Sequence, residues 1–90
     1  MDADEAAWIG GIAEALGITG GIDDEVKRVL LRMTKITADA TGVRYLAPLT
    51  AYLVGRAAGL AEAAGVPFDL EAAASGVNAL AGSWDRPPKG

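Results

Sequence analysis

Apolar residues recur every three or four positions in four stretches of this chain, and glycine or proline interrupts the pattern between them. That spacing lines up side chains on one side of a helix; a half-buried strand would need strict alternation, which no stretch provides. The first segment covers residues 4–16, with Trp8, Ile9, Ile12, Ala13 and Leu16 as its stripe. Asp2 or Asp4 is placed to cap it, and Gly17 to close it in the left-handed conformation that glycine adopts cheaply. A loop with Gly20-Gly21 leads to the second segment, 23–41, whose stripe is Val26, Val29, Leu30, Met33, Ile36, Thr37 and Ala40, with Gly42 as its stop. The third, 48–64, starts at Pro48, tolerated in a first turn where the N–H has no partner. Its expected core face is Leu49, Tyr52, Leu53, Ala57, Leu60, Ala61 and Ala64, and Gly65-Val66-Pro67 ends it. The fourth, 69–82, opens on the capping residue Asp69 and carries Leu70, Ala73, Ala74, Val77, Leu80 and Ala81. These segments predict an all-α fold, a compact bundle of four helices with short loops, in a single domain over 1–84. Residues 85–90, with Pro87-Pro88, read as a disordered tail.

Hydrophobic residues make up 51% of the chain, but much of that is alanine, so a limited set of large side chains must supply the core. They include Trp8, Met33, Leu53, Leu60, Phe68 and Trp84. At 90 residues the surface-to-volume ratio leaves a thin margin of stability. The net charge of -4 argues against nucleic-acid or anionic-membrane binding. Its distribution is uneven: residues 1–25 carry seven acids and no base, residues 26–56 carry six bases and one acid, and residues 57–90 carry four acids and two bases. The absence of a basic, apolar leader and of a long apolar run predicts a cytoplasmic protein of bacterial type, with no membrane span.

Histidine and cysteine are absent. Imidazole and thiolate chemistry is therefore excluded within the chain, and with it the usual ligands of zinc, copper and iron. Gly10-Gly11 and Gly20-Gly21 do not fit a phosphate-binding loop. The acidic clusters Asp2-Asp4-Glu5 and Asp23-Asp24-Glu25 lie at helix starts, where capping and the helix dipole explain them without a metal. No catalytic residue, metal ligand or cofactor is expected.

Two surface features are candidates. Arg28, Arg32 and Lys35 share one side of the second helix and, with Arg44 and Arg56, form a basic surface able to meet an acidic protein or a phosphate-bearing nucleotide or pterin. The alternative is a solvated face neutralised by the chain's own acids, Asp24 to Arg28 above all. On the third helix, Ala47, Ala51, Gly55, Gly59 and Ala63 recur every four residues. Glycine inside a helix costs about 1 kcal/mol relative to alanine, so Ala51, Gly55 and Gly59 predict close helix packing, within the monomer or across a homodimer. The hydroxyls of Thr34, Thr37 and Thr41 are expected to bond the carbonyl one turn back. Trp84 is expected as a lid over the bundle or, alternatively, an interface anchor.

The run from Ala47 through Pro48-Leu49-Thr50-Ala51-Tyr52-Leu53-Val54-Gly55-Arg56 to Gly59 resembles the signature of a small bacterial all-helical domain family of unknown function. Trp8-Ile9 with Ala13-Glu14-Ala15-Leu16-Gly17 is similar to its opening, and Val77 to Trp84 to its close. Members occur alone or fused to molybdenum-cofactor guanylyltransferase-like domains, some labelled for molybdopterin-guanine dinucleotide biosynthesis. The family often has an Ala-His-Gly-like stretch before the proline; here Thr37 to Gly42 contains no histidine. The resemblance implies a non-catalytic accessory or interaction module linked to molybdenum-cofactor biosynthesis or molybdoenzyme maturation, its partner a guanylyltransferase or related protein. The alternatives are a binder of a small phosphate-bearing ligand and a structural homodimer.

Overall fold

In the computed structural model, residues 1–19 and 21–85 are described, and they form four helices. These are α1 (Ala3–Leu16), α2 (Asp24–Thr41), α3 (Leu46–Ala63) and α4 (Leu70–Gly82), with no strand among the described residues. The starts follow the capping chemistry: Asp2, Asp23 and Asp69 each accept a backbone N–H three residues on, from Glu5, Val26 and Ala72. α3 starts two residues ahead of Pro48, after Tyr45, which makes no side-chain cap. Gly17, Gly42 and Gly65 take φ values of 68°, 71° and 71°, where a side chain would be strained, and so close the first three helices. The expected tail lies outside the described residues apart from Asp85.

α2 is the central element, packed against both α3 and α4, while α3 and α4 touch each other less. Their shared core is small. Val29 and Met33 from α2, Val54 from α3 and Ala74 from α4 are its buried apolar residues, with Leu30, Phe68, Leu70 and Val77 partly buried around them. α1 contributes no buried residue. It leans on the start of α2 through an ion pair between Glu5 and Lys27, and the chain's amino group pairs with Asp24. Ile9 and Ala13 are half-buried, whereas Trp8, Ile12 and Leu16 are exposed.

The expected core faces are thus corrected on α1, where Trp8, Ile12 and Leu16 are exposed, on α4, where Leu80 is exposed, on α3 and at Trp84. On α3, Leu49, Tyr52, Leu53 and Leu60 lie outward. The helix turns inward Val54 and the half-buried Ala47, Ala51 and Ala58, together with Ala61 of the expected face, small residues that suit close packing on α2. Trp84 does not close over the bundle: it is 46% exposed. The consequence is a large surface. The chain exposes 6769 Å², against roughly 4,900 Å² for a compact monomer of its mass.

Candidate functional site

One apolar concave feature follows from that helix arrangement. Because α2 holds α3 and α4 apart over part of their length, an apolar groove of about 440 Å³ opens between them. Leu46, Thr50, Leu53, Val54 and Ala57 form its α3 wall, and Ala73, Val77, Leu80 and Ala81 its α4 wall. Thr37 and Thr41 of α2 complete the lining, with Trp84 beyond α4. Leu53 and Leu80 are 63% and 60% exposed, so the walls continue onto an open apolar surface. Leu49 and Leu60 extend the α3 side of it, on the same outward stripe as Leu53.

Among the described residues, no ionisable side chain lines this groove. Its hydroxyls are mostly turned to their own helices: Thr41 donates to the Thr37 carbonyl at 2.8 Å and Thr50 to the Leu46 carbonyl at 2.7 Å. Thr34, elsewhere on α2, does the same toward Leu30 at 2.9 Å. Thr37 departs from the expected pattern, since its buried Oγ1 has no hydrogen-bond partner. What this arrangement can do chemically is desolvate an apolar side chain; it offers no acid, base or nucleophile with a partner.

The expected basic surface is only partly assembled. Arg28 is paired with Glu71 of α4 at 3.1 Å and Glu25 at 3.6 Å, not with Asp24, and Lys35 is paired with Asp39 at 2.8 Å. The Lys35 ammonium is held above its ordinary value by the hydrogen bond to Asp39, and Lys27 likewise by Glu5. Asp24 is lowered by the amino terminus, and Asp2 by the Glu5 backbone N–H it caps. Arg32 borders a small polar crevice of about 150 Å³ with Arg28, Glu71, Ser75 and Asn78, whose buried Oδ1 lacks a partner. Arg44 and Arg56 are exposed and lie outside that crevice. The small-residue row is also divided. Ala47 and Ala51 are half-buried, but Gly55 and Gly59 are exposed, with nothing within 4 Å of where a Cβ would stand. The close packing expected there is not made inside the chain. Among the described residues no group of three carboxylates gathers to hold a metal ion.

Sequence reasoning did not foresee the groove, although one signal pointed to it. Between them α3 and α4 carry three charged residues, Arg56, Glu62 and Glu71. Helices with so few charges are covered on more than one side or leave apolar surface open.

Residues 2–89 match the model of a protein family described as Domain of unknown function (DUF6457). The chain belongs to that family. No curated protein and no solved structure matches it. The match spans all four helices of this DUF6457 domain, including the weakly attached α1. No helix among its described residues is long and apolar enough to cross a membrane.

Proposed function

We propose that this DUF6457 domain is a non-catalytic interaction module that binds another protein through the groove between α3 and α4. The observation that carries the reading is the open apolar surface around that groove, with Leu49, Leu53, Leu60, Leu80 and Trp84 all more than 40% exposed. Contiguous exposed apolar surface on a small domain marks a place where another macromolecule sits. A groove with two helical walls suits an amphipathic helix, whose side chains at every third or fourth position fill it. Specificity then comes from shape and from the charges around the rim, not from polar groups inside.

The sequence resemblance supports a partner in molybdenum-cofactor biosynthesis or molybdoenzyme maturation, in the bacterial cytoplasm, and a guanylyltransferase-like domain is the first to test. The phosphate-ligand reading has less support, because Arg28 and Lys35 already have acidic partners. Isothermal titration of the full chain with a purified molybdenum-cofactor guanylyltransferase-like domain tests the proposal. Saturable heat that Leu53→Asp or Leu80→Asp abolishes is the expected result. Absence of heat at near-millimolar concentration, or binding indifferent to both substitutions, refutes it.

A further inference from the structure

α1 and α2 enclose a second cavity, separate from the groove between α3 and α4. The contacts between them set their register. The chain's amino group pairs with Asp24, Glu5 pairs with Lys27 at 2.5 Å, and Trp8 and Ile9 line one cleft with Leu30 and Leu31. Positions rise together on both helices, so over this stretch α1 and α2 run in the same direction, and Ile22, just before α2, joins the lining. The two helices do not close on each other. Helices in direct contact have axes about 8–10 Å apart, which brings some of their Cα atoms much nearer than that. Among the described residues, no Cα of α1 comes within 8 Å of a Cα in another helix. The space left between α1 and α2 is about 510 Å³.

We infer that this cleft binds a small, uncharged aromatic molecule, held between Trp8 of α1 and Leu30 and Leu31 of α2. Size selects a small molecule over a protein segment. The α2 wall runs from Lys27 to Leu31, about 6 Å, little more than one helical turn. A docking helix is about 10–12 Å across and needs a longer seat. The volume, in contrast, falls within the roughly 300–1,000 Å³ of small-molecule sites. Chemistry selects an uncharged one. Ile9, Ile22, Leu30 and Leu31 make the lining apolar, and its two charged side chains, Glu5 and Lys27, are bonded to each other across the cleft. No unneutralised side-chain charge is left there to offset the desolvation of a phosphate or carboxylate. The indole of Trp8 selects an aromatic one: it is more than half exposed, so a flat ring can stack on it. Binding should also act on the fold. α1 contributes no buried residue and is held by exposed ion pairs, which are weak in water. A molecule touching both helices displaces water from an apolar gap and fixes α1 in place.

The test titrates N-phenylnaphthylamine, an uncharged fluorescent probe, into the full chain carrying Trp84→Phe, which leaves Trp8 as the sole tryptophan. Saturable binding is expected, with probe emission brightened and shifted to the blue, and with Trp8 emission quenched by energy transfer to the probe. Protection of the α1 amides, relative to their intrinsic exchange rate, should rise at saturation. Leu31→Gln should weaken binding about fivefold or more, whereas Leu53→Asp, in the other groove, should change it by less than about twofold. Leu31 and Leu53 are both more than half exposed, and circular dichroism checks that each variant keeps its helices. The sulfonated relative of the probe, anilinonaphthalenesulfonate, should bind more weakly than the uncharged one. Absence of saturable binding overturns the inference, as does a titration that Leu31→Gln leaves unchanged or that Leu53→Asp abolishes. Saturation with no gain in α1 protection, or tighter binding of the sulfonate, overturns it equally. None of these outcomes bears on the groove between α3 and α4, so the preceding proposal stands or falls separately.

Discussion

Truncating Met33 and truncating Leu53 should have very different consequences, although sequence pattern alone gives both the same standing. Met33 is wholly buried among the three helices of the core, at 0% exposure. Met33→Ala removes its contacts and leaves a cavity that a core this small cannot refill, at a cost of about 2–5 kcal/mol. A 90-residue domain has roughly 5–13 kcal/mol of stability in all, so this one change removes a large part of it. Leu53 is 63% exposed. If fully burying a leucine is worth about 1.5–3 kcal/mol, the part of Leu53 already covered contributes about 0.5–1 kcal/mol, and alanine's better helix propensity offsets some of that. Urea unfolding followed by circular dichroism at the lowest workable concentration measures both costs on the separated chain. A cost for Leu53→Ala equal to that of Met33→Ala under dilution would refute the reasoning, because it would mean that α3 points its leucine side, not Val54 and the alanines, into the core. With the proposed partner bound, the cost of Leu53→Ala should grow, since the groove would then bury the side chain.

Other consequences can be checked in the same way. Gly55→Ala and Gly59→Ala meet no atom within 4 Å and should each stabilise the separated chain by about 0.5–1 kcal/mol through helix propensity; a loss of stability would show that something packs against them. Asp69→Ala removes the acceptor for the Ala72 N–H and should cost about 1 kcal/mol, read as a lower urea midpoint with an unchanged slope. The attachment of α1 should weaken on both sides of neutrality. Asp2 and Asp24 have lowered values in the fold, so what they contribute is present above the ordinary carboxylate range and is lost as pH falls through their lowered values; Lys27 has a raised value, so its contribution is lost as pH rises through it. Protection of the α1 amides, taken relative to their intrinsic exchange rate at each pH, that stayed constant from acid to base would contradict this, and added salt should lower that protection at neutral pH because the pairs are exposed.

How much of this was legible in the residues can be argued from α2 and α3. α2 has one apolar side and a charged remainder, so its period selects a unique inward face, and Val29, Met33 and Thr37 are indeed its buried residues. α3 offers two apolar sides, one of leucine and tyrosine and one of alanine and valine, with only Arg56 and Glu62 as charges. Periodicity cannot choose between them. The larger side chains were the natural choice for the core, and the choice failed because close approach to α2 favours the smaller ones. Helix ends were better determined, since a capping aspartate or a left-handed glycine acts within a few residues and owes little to the rest of the fold. The groove was not legible in the same way, because it depends on how far α2 separates α3 from α4.

The small core and the open groove have a common origin in that choice of face. With its alanine side inward, α3 packs on α2 but leaves Leu49, Leu53 and Leu60 more than half exposed. Turning the helix by a third of a turn or more would bury the leucines, but it would expose Val54 and separate the backbones. The observed packing therefore forgoes intramolecular burial that the sequence has the side chains to make. In a protein whose margin is thin at this length, the proposed partner would complete that burial, so that stability and binding would draw on the same leucines. A substitution that makes the groove polar should then have opposite effects in two measurements: higher solubility and little change in the chain's own unfolding midpoint, but loss of the rise in stability expected when the proposed partner is added.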